Sequence, residues 1–307
     1  MAPKEKKATR REHFIPQFYL KGFANNKNQV CALNKNDRDG NSIFHTKIKN
    51  ICLKNDLYEV RLKANVDKGY VERGAIENWL SSFEGRVRNA VVECGKLDLH
   101  DGDLFPSNFG DLAAGLQAFI ANLIVRHPMW LNSRKEAAEG YAETLQRTGF
   151  FSDCDLKKLD ELGYRDDIGA IVELGIEHAE ICMFAEGSST WHILNLLNEL
   201  DIAFLKAPSN SEFITSSFPI AMGWPDAMTD NPSAVYFPIC SKTAVMFAEG
   251  DGKGRQLICR HLSGENVDQL NTVLLVDSPW WEQAYSKHSE ALIRAMEGFT
   301  AIATTSC

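Results

Sequence analysis

An α+β fold is what the sequence predicts, with a helix-rich middle and a mixed or antiparallel sheet built from strands near both ends of the chain. Three observations carry it. Apolar residues recur at helical spacing from about residue 71 to residue 199. Short β-branched and aromatic runs, bounded by Gly, Pro, Asn and Asp, lie at 29–47 and 202–260. No βαβ alternation links them, which sets aside a doubly wound parallel sheet.

The first element follows from Pro16, whose missing N–H and helical φ suit a first helical turn, so residues 16–23 read as a short helix ending near Gly22. Residues 29–33 and 42–47 flank the Asn/Asp/Gly-rich stretch 34–41 as a hairpin, and 57–60 reads as a short extended piece. Over 71–95, Ile76, Leu80, Phe83, Val87 and Val91 share one helical face. A second long helix opens after Pro106, with Ser107 or Asn108 as N-cap, and runs toward Arg126 before Pro128 kinks or ends it. Helices follow at 133–146, 156–162, 168–183 and 190–199. Strands follow at 202–205, 212–215, 235–238, 244–248 and 256–260. The end returns to helix at 265–275 and 282–296, around a strand-like 273–276.

With 307 residues, 44% of them hydrophobic and 24% charged, the chain is long enough for a large core and is not disordered over most of its length. The expected organisation is a disordered basic arm over 1–12, a single domain over 13–300 and a tail over 301–307. Within that domain the helical part covers about 71–199 and the strand-rich part about 200–280. A net charge of −8 argues against a surface that grips nucleic acid everywhere, while leaving room for a local basic groove. The eight cysteines form no C-x-x-C pair, so reduced thiols rather than a zinc ribbon or disulfide framework are expected. No run reaches the ~18 apolar residues of a membrane helix, and the charged N-terminus lacks a signal peptide's apolar run. A cytoplasmic location without a membrane partner is the expectation.

The polar residues set among apolar ones are the candidates for chemistry, because such groups need partners or a task. His13 and Gln17 stand four apart, so a helix starting early enough places both on one face. His13 suits general acid or base work, and it equally suits a hydrogen-bonded packing role. Glu77 and Glu84 border the apolar stripe of their helix, facing a cavity or forming an ordinary boundary with Arg88. Arg126 falls within the buried stripe of the next helix, and a guanidinium that cannot shed its charge demands partners there. Glu84 is the partner expected, with Asn122 and His127 nearby. Ser216 sits where a strand runs into a turn, its hydroxyl meeting a substrate or satisfying the turn backbone. The expected site is therefore His13, Glu84 and Arg126 as catalytic residues and Gln17, Asn122 and Ser216 as substrate-binding residues, with no metal and no cofactor.

The segments HFIPQFYLKGF, KNICLKNDLYEV, IENWLSSFE, FIANLIVRHP, FITSSFPI and VYFPI, in that order, give a chain that resembles the bacterial domain-of-unknown-function family numbered four-two-three-eight. The resemblance places family features on His13, Pro16, Gln17, Tyr58, Glu84, Arg126, Pro128 and Pro219, and it implies a role in single-gene anti-phage defence. Family members carry Thr-Ser-Asp-x-Pro where this chain has Thr215-Ser216-Ser217-Phe218-Pro219. A hydroxyl carries no charge for a metal, so a metal-independent mechanism is expected. The function expected is an intracellular anti-phage effector acting on RNA as a nuclease, with a phage protein as trigger. Two other readings stand: a non-enzymatic sensor or interaction module that recognises a phage component, and a nucleotide-gated toxic effector. The sequence leaves open whether the protein is an enzyme.

Overall fold

A computed structural model of the chain describes residues 11–36, 43–62, 69–100, 105–182, 186–223, 234–250 and 256–305. The expected arm over 1–10, residues 37–41 of the hairpin loop and the last two residues of the tail lie outside them. The elements open with β1 (Arg11–His13), α1 (Gln17–Leu20), β2 (Gln29–Asn34), β3 (Phe44–Lys47) and β4 (Leu53–Asn55). The helical middle holds α2 (Ala75–Lys96), α3 (Phe109–Val125), α4 (Pro128–Arg147), α5 (Asp153–Leu162), α6 (Ile168–Ile181) and α7 (Ser189–Glu199). Then come β5 (Asp201–Lys206), β6 (Thr215–Ser216), β7 (Ala221–Gly223), β8 (Ala234–Cys240), β9 (Thr243–Ala248) and β10 (Leu257–His261). The chain closes with α8 (Gly264–Val276), β11 (Gln283–Ser286) and α9 (Ser289–Thr305). The fold is α+β.

The chain packs as two compact units, each assembled from separated segments, where a single domain was expected over 13–300. Unit 1 comprises Met1–Phe14, Leu53–Phe83 and Val125–His192; unit 2 comprises Ile15–Cys52, Glu84–Ile124 and Ile193–Cys307. The last passage of the chain from unit 1 to unit 2 falls between His192 and Ile193, inside α7 and just ahead of the change from helical to strand-rich sequence near residue 200.

In unit 1, β1 and β4 pair antiparallel, with Glu12 opposite Lys54. Arg11 and Glu12 are thus strand residues rather than part of an arm, and His13 stands in a strand rather than on a helix face. The extended stretch lies at Leu53–Asn55, not at 57–60, because Asp56 takes a positive φ of 49° and turns the chain. Helix α4 starts at Pro128, five positions before the expected start, since proline is at home in a first turn. His127 caps it, its Nδ1 accepting the Met129 N–H at 3.3 Å. Helix α5 carries a Ser152/Asp155 capping box and ends on Gly163 at φ 70°. Helices α4 and α6 pack together, and Val60, Leu62 and Ala170 gather Val71, Tyr164 and Leu174 into an apolar cluster.

Unit 2 holds two sheets. The five-stranded one runs β10-β5-β9-β8-β7, antiparallel except for the parallel β10–β5 pair. The four-stranded one runs β3-β2-β11-β6, all antiparallel. Tyr19 belongs to the core: its ring stacks on Phe237 at 5.2 Å, and its hydroxyl meets Thr215 Oγ1 and the Pro238 carbonyl, each at 2.8 Å. Pro16 serves as N-cap of α1 with ψ 139°, and a 3-10 turn, Lys21–Phe23, continues the helix. Helices α2 and α3 approach closely at Gly115, where a Cβ would lie 2.6 Å from that of Ala90.

The C-terminal expectations need the largest correction. Residues 273–276 close α8 instead of forming a strand, and the helix expected over 282–296 is β11 followed by α9, which runs on through the expected tail to Thr305. Non-local pairing explains it: Gln283–Ser286 sits between β2 and β6, more than two hundred positions from one partner. Among the described residues no single helix is long and apolar enough to cross a membrane. Cys31, Cys52, Cys94, Cys154, Cys182, Cys240 and Cys259 are free thiols.

Candidate functional site

In unit 1 the polar residues singled out by sequence meet in a buried cluster. Arg126, 1% exposed, donates from Nε to the Tyr58 hydroxyl at 3.2 Å and from Nη2 to the His13 carbonyl. The structure thus joins Arg126 to the backbone of His13. Tyr58 turns its own N–H to Glu12 Oε2 at 3.0 Å, and the neighbouring Glu59 accepts the Gly74 N–H at 2.9 Å. The second oxygens of the two carboxyls, Glu12 Oε1 and Glu59 Oε2, are buried. Burial, reinforced by the charges of Glu59 and Glu77, pushes Glu12 up to about 7, and burial raises Glu59 as well. On α6, burial pushes Glu177 up to about 7 against the pull of Lys135 at 3.4 Å. This cluster ties β1 to the turn after β4, and its guanidinium is shut away from solvent. It specifies structure.

The other expected site residues belong to unit 2. Gln17 is exposed at the start of α1, Glu84 is half-buried in α2, and Asn122 is buried in α3. Ser216 is fully buried and its hydroxyl is turned onto Phe218, donating to the carbonyl at 2.6 Å and accepting the N–H at 3.2 Å. Ser217 accepts the N–H groups of Glu282 and Gln283 at 2.8 and 3.3 Å. These hydroxyls satisfy a turn. The aspartate that the family resemblance implies at this position would accept the same two N–H groups, so Ser217 is a turn-forming substitute and says nothing about a metal.

An open polar cavity of about 420 Å³ lies elsewhere in unit 2, among Glu212, Lys242, Lys287, His288, Glu290 and Arg294. Its centre is built from a buried amide outward. Asn271 of α8 donates to the Glu212 carbonyl and accepts the Ile214 N–H, both at 3.0 Å, which fixes the segment ahead of β6. Glu212 then grips His288 twice, through its backbone N–H at 2.8 Å and through ring Nδ1 at 2.9 Å. A carboxylate offers only acceptors, so Nδ1 carries a proton, and in the neutral ring Nε2 is the nitrogen left with a lone pair. The His288 side chain is 62% exposed. Lys242 donates to the carbonyls of Pro208, Ser209 and Ser211, bracing the facing loop. Arg294, on α9, holds Asp268 at 2.8 Å through Nε.

A carboxylate-oriented imidazole beside lysine and arginine can move a proton next to a phosphate. Sequence reading missed it because the helix assigned across 282–296 put His288 inside a regular element, and Glu212 lies 76 positions away. The charged run Lys287-His288-Ser289-Glu290 ahead of α9 was the available signal. Among the described residues no group of three His, Cys, Asp or Glu is arranged to hold a metal ion.

The family model described as a protein of unknown function, DUF4238, matches residues 11–290. The chain belongs to the DUF4238 family. Glu212 and His288 both fall within the span shared with DUF4238, as do Glu12, Tyr58 and Arg126. No curated protein and no solved structure matches the chain.

Proposed function

We propose that this protein is an anti-phage effector of the bacterial cytoplasm that cleaves RNA without a metal ion, and that the chemistry runs at the Glu212–His288 cavity. The defence role rests on the family resemblance alone. The reaction rests on one observation: His288 is locked by Glu212 through Nδ1 at 2.9 Å and opens into a cavity that Lys287 and Arg294 line. In that arrangement His288 Nε2 takes the proton of the ribose hydroxyl next to the scissile phosphate. The resulting oxygen forms a new bond to phosphorus, the bond to the departing ribose oxygen breaks, and that oxygen takes a proton from Lys287. Lysine and arginine charge answers the charge that builds on the phosphoryl oxygens. This reading gives no chemical step to His13 or Arg126, because the Arg126 guanidinium is buried against Tyr58 and the His13 carbonyl.

The test is incubation of pure protein with total RNA and with DNA in the presence of a chelator. RNA is expected to be consumed, and His288→Ala to slow the reaction by ~10²-fold or more while keeping the melting temperature. Intact RNA, or a His288→Ala protein as fast as the parent, overturns the reading. The non-enzymatic interaction module draws support from the burial of Arg126, which keeps one member of the expected catalytic set away from solvent.

A further inference from the structure

The geometry points to a second binding site in unit 2: a groove that takes a free nucleoside polyphosphate, base against an apolar floor and phosphates on a cationic rim. The groove, of about 310 Å³, is formed by the 3-10 turn after α1, the C-terminal half of α2 and the end of β8, and it shares no lining residue with the Glu212–His288 cavity. Its volume lies at the lower end of the range for small-ligand pockets, about 300–1,000 Å³.

Its shape comes from two irregularities in the sequence. Pro238 has no N–H for the ladder, and β8 shifts register between Pro238 and Cys240. That bulge brings Ile239 and Cys240 up to two glycines. A Cβ on Gly22 would sit 3.0 Å from Cys240 Cβ, and one on Gly95 would sit 3.4 Å from Ile239. The Ser241 N–H donates to the Gly22 carbonyl at 3.0 Å and pins the turn in place. A side chain at Gly22 would press on Cys240, and one at Gly95 would meet Ile239 and Cys240.

The walls divide by chemistry. Phe18, Val91, Val92 and Ile239 supply flat apolar surface, and Val92 is 37% exposed. The Phe18 ring is braced by Phe119 at 5.3 Å, and the Arg88 guanidinium lies 5.9 Å from its centroid. Lys21, Arg88 and Lys96 bring three cations to the lining, which includes no carboxylate. Of the three, Lys96 is paired with Glu93 at 2.8 Å. In a chain of net charge −8 this is a local reversal of sign, complementary to a polyanion. An aromatic floor beside lysines and arginine is the pairing that holds a base by stacking and a phosphate by charge.

Calorimetric titration of the full chain with ATP, adenosine and inorganic triphosphate tests it. ATP is expected to bind, with adenosine and triphosphate each roughly tenfold or more weaker because each makes half of the contacts. Lys21→Gln combined with Arg88→Gln, both surface positions, is expected to weaken ATP roughly tenfold at an unchanged melting temperature. Val92→Asp, which sets a carboxylate on the floor, is expected to do the same. Absence of ATP binding, or equal ATP affinity in these variants, overturns the site. Binding of an RNA oligonucleotide without ATP also overturns it, assigning the groove to a strand.

Discussion

Glu12 shows what one buried carboxyl does to the whole protein's response to pH. Its neutral form is the one the fold accepts, since burial lifts it from the ordinary carboxylate value to about 7. Below about pH 4.5 the folded and unfolded chains both carry the proton, and its contribution is intact. As pH rises toward 7, the unfolded chain gives up that proton while the folded one keeps it, so stability falls. Glu177, also held at about 7, has the same sign. The expected loss is on the order of 1–2 kcal/mol for each carboxyl between pH 4.5 and pH 7. Melting temperatures across that interval should decline less in Glu12→Gln and in Glu177→Gln than in the parent. Equal slopes would show that these groups titrate alike in both states. Arg126 makes the complementary case. Arg126→Met strips the Tyr58 hydroxyl and the His13 carbonyl of their donor, and the expected cost is about 3–5 kcal/mol in urea denaturation. An unchanged midpoint would return Arg126 to the list of residues held for chemistry.

Among elements, the α2–α3 contact is the most sharply defined. With Gly115 Cα against Ala90 at a separation that leaves 2.6 Å for any added Cβ, Gly115→Ala must push the helices apart, for an expected loss of about 1–3 kcal/mol. Restoring the space with Ala90→Gly should recover part of it in the double variant, measured by thermal unfolding, because the two positions share one gap. Long helices were legible in the sequence: the stripe Ile76, Leu80, Phe83, Val87 and Val91 is buried as its spacing requires. Their ends were less so, since capping by His127 and the turn at Asp56 depend on side chains and φ values that periodicity does not report. Strand β11 was illegible for a stronger reason. Gln283, Ala284, Tyr285 and Ser286 alternate no more like a strand than like a helix, and what settles them is hydrogen bonding to β2 and β6. That single misreading hid His288, the residue that pairs with Glu212 in the polar cavity. Arg126, by contrast, was visible because a charge inside an apolar stripe violates local patterning.

For the whole molecule, sequence continuity and spatial compactness diverge. Unit 2 draws β2 and β3 from the start of the chain and β11 and β6 from its second half to complete one sheet. A fragment spanning 200–307 therefore lacks β2, one of the two partners of β11, as well as α2 and α3, and it is expected to give no cooperative unfolding transition by circular dichroism. A sharp transition in that fragment would mean that the strand-rich part folds by itself, as its composition suggested. The same interleaving explains why chain order concealed the Glu212–His288 pair, whose members lie just before β6 and just after β11, at one end of that antiparallel pairing.

Strand β10 ends the five-stranded order, joined to β5 along one side. Its far edge offers amide and carbonyl groups to any extended chain that drifts past, which is how soluble proteins begin to string together into fibrils. Arg260 and His261 stand exposed at the end of that strand, so replacing both with β-branched apolar residues is expected to bring concentration-dependent precipitation, read by light scattering.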